Sequence, residues 1–328
     1  MHRCWNSSTQ LRKYRANAHF FAWFLFRTLF FIVVSYGWAA AATTVPSLIL
    51  SVPDLTLQEA QQHPQSLVRD AVQLEIANGY GKRPNLRYRF HKVTEHLDRT
   101  QEILETKDGD VACLMATNGH ALTADAVHAE RSRLVFLRSH PALQAHRLHR
   151  EQGDIQNFEK ILRALPDAFQ FRFAGIVPAS SGPAVHMTFQ PNPHYKSTEY
   201  ETHALSGMRG DIWIDARQKH IVNFDARLFR SVGFGWGILG YLDKGGTIHI
   251  QQSEVVPSVW SLTEMELSIS GRALVVKPLQ FDIRETATEY QRNDPAQNYQ
   301  QAIDLLLQDH CGSDLSSPSV PTPTRIAH

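Results

Sequence analysis

Phe169-Gln-Phe-Arg-Phe173 is followed, after Ser181-Gly182, by Val185-His-Met-Thr-Phe189. Apolar and polar residues alternate in both segments, so every second side chain shares a face, as on a half-buried β-strand. The glycine-marked break between them is a hairpin signal. The same period continues through Ile212 and Ile214, Val222 and Phe224, Ile248 and Ile250, and, after Val275, Phe281 and Ile283. Trp260-Leu262 and Met265-Leu267-Ile269 are offset by one residue, which predicts a bulge between them. Turn signals at Gly245-Gly246 and Gly271-Arg272 separate the later runs. Residues 168–290 therefore predict an antiparallel meander of about eight strands.

The flanks of this meander carry a different period. Residues 54–80 predict helix, interrupted at Pro64 and closed by Asn78-Gly79, with Leu67, Val68, Ala71, Val72 and Ile76 on one stripe. Residues 85–120 return to strands: Leu86, Tyr88 and Phe90 alternate with basic residues, and Lys107-Asp-Gly-Asp110 marks a hairpin turn before Val111–Met115. Residues 123–164 form a charged helical insert, divided by Pro141 and Gly153 into three expected helices. A last amphipathic helix is expected at 295–309. The Ser/Pro/Thr-rich residues 312–328 predict disorder. The fold class expected is α+β, with one domain over residues 42–310.

Residues 1–27 hold Arg3, Arg12, Lys13, Arg15 and Arg27 and no acid. An apolar run from Thr28 to Ala42 follows, ending in Ala39-Ala-Ala-Ala42. A basic start, a short apolar core and small residues at the end predict a signal peptide over residues 1–41, and a periplasmic or secreted mature chain. The run is 15 residues long, short of the ~20 that span a bilayer. Extension back to residue 20 brings Arg27 inside and leaves an inner-membrane anchor over residues 20–42 as the alternative.

The whole chain has 328 residues, 33 Lys+Arg and 32 Asp+Glu. Without residues 1–41, 28 bases face 32 acids. The basic excess belongs to targeting, so nucleic acid is not an expected partner. Two cysteines remain, Cys113 and Cys311. They can pair in an oxidising compartment, or be one buried thiol and one stray thiol.

Motifs of catalysis are lacking. There is no G-x-S-x-G, H-E-x-x-H or C-x-x-C. Gly235-Trp-Gly-Ile-Leu-Gly240 matches a dinucleotide fingerprint in letters, but strand-like residues follow where that motif opens a helix. No cofactor is expected. His140, His146 and His149, with Glu151 beside them, are the tightest histidine cluster. Arg147 and Arg150 would repel a cation there, so a solvated helix face is expected and no metal. Asp211 and Asp215, flanking Ile212-Trp-Ile214, lie about 13 Å apart along a strand, too far for one acid/base pair. An unrecognised hydrolase or metal site is a minor alternative to a non-enzymatic protein.

Gly210-Asp-Ile-Trp-Ile-Asp215 and, six residues on, Val222-Asn-Phe-Asp225 resemble a strand pair of the periplasmic outer-membrane lipoprotein-sorting proteins, the Lol carrier superfamily. The related anti-sigma-factor regulators that bind lipidic signals carry the same pair. The chain is also similar to uncharacterised exported bacterial proteins of its length, through Leu165-Pro-Asp-Ala-Phe169, Gly233-Phe-Gly235 with Lys244-Gly-Gly246, and Trp260. The resemblance spans residues 85–290. It implies a strongly curved antiparallel sheet, an incomplete barrel with helices packed on its concave face around an apolar cavity. The 123–164 insert is larger and more charged than the lid of the sorting proteins, and the C-terminal helix and tail are extra.

The resemblance transfers a lining only as a face of the sheet: Phe171, Phe173, Met187, Phe189, Ile212, Ile214, Phe224, Ile248, Ile250 and Leu267. The function expected is binding of a lipid or of the acyl chain of a lipoprotein, without chemistry. Membrane contact would be peripheral or through an uncleaved signal. The alternative is a filled-core periplasmic scaffold or regulator. Its contacts with an envelope protein would use the charged insert and the Trp213 face.

Overall fold

The alternation along 169–189 becomes two paired antiparallel strands in the computed structural model, which describes residues 54–197, 199–234, 240–273, 277–309 and 311. Phe171 lies opposite Phe189, and Phe173 opposite Met187. The expected signal peptide, the centre of the Gly235–Gly240 motif, Val275 and the 312–328 tail lie outside the described residues.

The chain is α+β. Helices α1 (Asp54–Gln62) and α2 (Pro64–Ala77) come first. Strands β1 (Leu86–Thr94), β2 (Leu97–Leu104), β3 (Val111–Thr117) and the two-residue β4 (His120–Ala121) follow. The insert then forms α3 (Ala124–Arg138) and α4 (Pro141–Ala168). The meander begins with β5 (Phe169–Ala179), β6 (Gly182–Pro191), a one-turn helix α5 (Tyr200–His203), β7 (Met208–Asp215) and β8 (Ile221–Leu228). It continues through β9 (Val232–Phe234), β10 (Gly240–Leu242), β11 (Thr247–Val256), β12 (Val259–Ala273) and β13 (Lys277–Arg292). Helix α6 (Tyr299–Gln308) closes the described chain. Its cap is reciprocal, with Asn298 and Gln301 each bonding the other's backbone N–H.

All strands belong to one open antiparallel sheet, ordered β4-β3-β2-β1-β13-β12-β11-β8-β7-β6-β5, with β9 and β10 attached to β12. Strand β1 pairs with the late β13, so the 85–120 hairpins extend the meander. Facing residues in register share a face. Phe90 opposes Ala287, Leu267 opposes Ile283, Ile250 opposes Phe224, and Phe224 opposes Ile212. The expected bulge lies where Gln251 opposes Glu264 but Gln252 opposes Leu262, leaving Thr263 unpaired.

The insert differs from its sequence pattern. It makes two helices, and Gly153 lies inside a single helix of 28 residues. A mid-helix glycine costs about 1 kcal/mol, and the apolar stripe of α4 outweighs it. Phe158, Ile161 and Leu162 all pack against the main core. The helix has a span to cover. The chain leaves the sheet at β4, one end of the strand order, and re-enters at β5, the other end. A 28-residue helix is about 42 Å long.

Two cores result. In the larger, Leu67, Val68, Ala71 and Val72 of α2 pack with apolar residues from one face of β1, β5–β8, β12 and β13. In the second, Leu134 and Leu137 of α3 and Tyr299, Ala302, Ile303 and Leu306 of α6 pack on Val111, Cys113 and Met115. Cys113 and Cys311 are joined by a disulfide with their Cα atoms 6.0 Å apart. Beyond the short β4, the free edge of β3 is capped by side chains of α3. Glu130 accepts from the Leu114 N–H at 2.8 Å, and Arg133 donates to the Ala112 carbonyl at 2.6 Å. That satisfies backbone groups that would otherwise template another strand.

Asp215 has a structural task. It is 1% exposed. Its carboxylate accepts from the Arg217 and Gln218 N–H groups at 2.8 and 2.7 Å and from the Ser181 hydroxyl at 2.7 Å. It thus tightens the β7–β8 turn, in which Lys219 has φ +60°. Asp215→Ala removes all three of these bonds. The expected loss is about 2–3 kcal/mol of unfolding free energy, read from the urea midpoint.

Candidate functional site

The apolar face of the sheet is not filled along its whole length. Helix α2 fills one end. Toward β1–β3 a cavity of about 840 Å³ remains. Phe224 of β8, Ile248 and Ile250 of β11, Leu262 of β12, Phe90 of β1 and Ile103 of β2 form its sheet wall. The α4 side chains Ile155, Phe158, Ile161, Leu162 and Leu165 form the facing wall. A volume of several hundred Å³ is the usual size of a small-molecule site.

The sequence-derived lining divides accordingly. Phe224, Ile248 and Ile250 line the cavity. The other seven do not. Met187, Ile212 and Ile214 are wholly buried, and Phe171, Phe189 and Leu267 nearly so, in the core that α2 packs against. Phe173 is half-buried at the same core. All ten share one face, but periodicity does not tell where along that face a helix lands.

One end of the cavity is polar. Tyr80, from the turn after α2, donates to Asp110 at 2.5 Å. Asp110 sits at the end of the turn that begins at Lys107. Glu151 reaches the same place from α4, hydrogen-bonded by the Asp110 backbone N–H and the Tyr80 side chain. Arg83 makes two hydrogen bonds to Glu105, at 2.7 and 2.8 Å, in an ion pair that is 10% and 4% exposed. Tyr88 and Tyr290 stack with ring centroids 5.0 Å apart. All seven side chains line the cavity.

Burial there reshapes the acid–base properties. Removal from water, then the charges of Glu151 and Glu105, pushes the Asp110 carboxyl well above the usual carboxylate range. Removal from water also raises Glu151, against the hydrogen bond from Tyr80 that lowers it. The Tyr80 phenol is raised by burial and then by Asp110, so it stays protonated and donating. Perturbed groups gathered in a cleft mark a candidate functional site.

Gly109 makes this end possible. It has φ +92°, and a Cβ there would meet Glu151 Oε2 at 3.1 Å and Gln144 Nε2 at 3.2 Å. Gln144, 2% exposed, donates to the Asp108 carbonyl at 3.0 Å. Thus α4 grips the 106–110 turn and aims Asp110 at the cavity. The sequence signalled the turn but not the role of its last residue. Glu151, grouped by sequence with three histidines, faces Asp110. His140 stacks on Phe136, while His146 and His149 are exposed on α4.

The opposite face of the sheet is charged. A groove of about 590 Å³ crosses β5, β6, β7, β8, β11 and β12, with Arg172, Arg209, Asp211, Asp225, Arg227, His249 and Glu266 among its lining. Asp211 bonds His186 at 2.8 Å, and Asp225 bonds His249. Trp213 is half-buried, stacked on His186 with ring centroids 4.7 Å apart. Among the described residues the one Cys/His/acid group within common ligand reach is Cys113, Glu130 and Cys311; both its sulfurs are in the disulfide. No helix among the described residues is long and apolar enough to cross a membrane.

No protein-family model, no curated protein and no solved structure matches the chain.

Proposed function

We propose that this is an exported, non-enzymatic carrier or sensor that holds the apolar chain of a lipid or acylated protein. The observation that carries the reading is the cavity of about 840 Å³ between α4 and the sheet. Each methylene moved from water into such a space contributes about 0.8 kcal/mol. In this reading the sheet curls as an incomplete barrel and α2 and α4 lie on its concave face, as the resemblance to the lipoprotein-sorting superfamily implies. The disulfide supports an oxidising destination, in keeping with the signal-peptide pattern of residues 1–41. A scaffold working through protein contacts is the second reading. It is favoured by the exposed Val135, Phe136 and Leu143 near the α3–α4 turn.

Native mass spectrometry of residues 42–328, purified from a bacterial periplasm, tests the proposal. Masses above the polypeptide that dissociate as phospholipid or fatty acid are expected. A bare mass, unchanged after incubation with a lipid extract, overturns the carrier in favour of the scaffold.

A further inference from the structure

We infer that the polar end of the cavity is a recognition site for an ammonium group, so that the preferred ligand is a cationic-headed amphiphile. This rests on the carrier reading and specifies its ligand class.

Charge at that end selects the head group. Three carboxyls meet there: Glu105 from the close of β2, Asp110 from the turn before β3 and Glu151 from α4. Two guanidinium groups face them, Arg83 and Arg147. Arg83 is committed to Glu105 through both its terminal nitrogens, and Arg147 lies beside Glu151. Asp110 is met by a phenol: among the described residues it makes no ion pair, and its side-chain partner is Tyr80. One carboxylate charge is therefore left without a counter-cation. Further along α4, Asp154 also lines the cavity.

Two neighbouring, partly buried carboxyls resist ionising together unless a positive charge joins them. A proton can take that place, which fits the raised Asp110 and Glu151. A ligand ammonium group can displace it and gain charge-assisted hydrogen bonds. The surroundings suit that group. Tyr80, Tyr88 and Tyr290 supply aromatic rings at the same end, and aromatic faces attract ammonium ions. An anionic head would meet carboxyls whose nearest arginines are already engaged.

The apolar walls lead away from this end along Phe90, Ile103, Phe158 and Ile250. A single-chain amphiphile thus has its head and its tail both provided for.

The test uses three probes with the same twelve-carbon chain, below their micelle concentrations: dodecylamine, dodecanol and dodecanoate. Calorimetric titration of the disulfide-bonded chain at neutral pH is expected to give dodecylamine about tenfold or greater preference over dodecanol, and dodecanoate the weakest binding. That preference should shrink as pH falls, because the proton held by the Asp110–Glu151 pair competes with the amine more strongly. Amine binding should release a proton, seen as a buffer-dependent heat. In Asp110→Asn, and in Glu151→Gln as a second variant, the amine-to-alcohol ratio should fall towards one. Dodecanol or dodecanoate binding as well as dodecylamine to the parent chain overturns the ammonium site and leaves the carrier standing. A ratio that survives both substitutions also overturns it. Failure of all three probes to bind overturns the carrier with it.

Discussion

Cys311→Ala is expected to lower the unfolding free energy by about 5 kcal/mol in the chain-entropy description of a cross-link. The size follows from the sequence separation of the bonded pair, 198 residues, which makes the loop removed from the unfolded ensemble a long one. The native side of the balance adds to the effect. Cys311 is 1% exposed and Cys113 fully buried, so either truncation also leaves a hole in the second core. The bond ties the end of α6 to β3, and α6 otherwise docks through Tyr299, Ala302, Ile303 and Leu306. Urea unfolding with and without a reductant, on the parent and the variant, measures the difference. The oxidised parent should stand apart from the other three samples. A gap under about 1 kcal/mol would show that the cross-link adds little beyond residual structure in the unfolded chain.

A charge placed on the apolar face should have opposite consequences at its two ends. Phe171→Asp should leave no folded protein. Phe171 is 6% exposed and packs beside the rings of Phe169 and Phe189, whose centroids are 6.2 and 5.8 Å from its own. Its truncation alone costs about 3–5 kcal/mol, and an unpaired carboxylate added there exceeds the margin of an ordinary domain. Ile250→Asp should fold. Its side chain is half-buried and borders the cavity, where a carboxylate can keep water. Binding of a fluorescent fatty-acyl probe should then fall by about 30-fold or more, because the wall is less apolar and carries a charge. Far-UV circular dichroism separates the two outcomes. A folded Phe171→Asp chain would mean that α2 does not seal that end. An Ile250→Asp chain with undiminished probe binding would mean that the acyl chain does not run along β11.

Strands, turns and the bulge at Thr263 were legible because they rest on local periodicity and on glycine or asparagine positions. So was the apolar face, as a set of every-second residues. Gly153 misled, because a helix held by tertiary packing tolerates a residue that would end an isolated one. Asp110 and Glu151 were hidden for another reason. Forty-one positions separate them in the chain, and neither looks unusual beside its neighbours.

Glu285, within the core, was hidden in the same way. It interrupts the apolar series Phe281, Ile283, Ala287 on β13, and its carboxylate is wholly buried. Sequence registers only a charge out of place. The partner is Lys92, directly opposite on β1, and that pairing exists because β1 lies beside β13, far along the chain.

By itself, then, the sequence determined the α+β class, the long antiparallel meander and which side chains share its apolar face. Tertiary structure decided which part of that face stays open, which carboxyls meet at its polar end and that Cys113 and Cys311 are bonded. The physical reason is range. Strand alternation and turn chemistry act between residues a few positions apart. A cavity depends instead on where α2 and α4 come to rest on strands far from them in the chain.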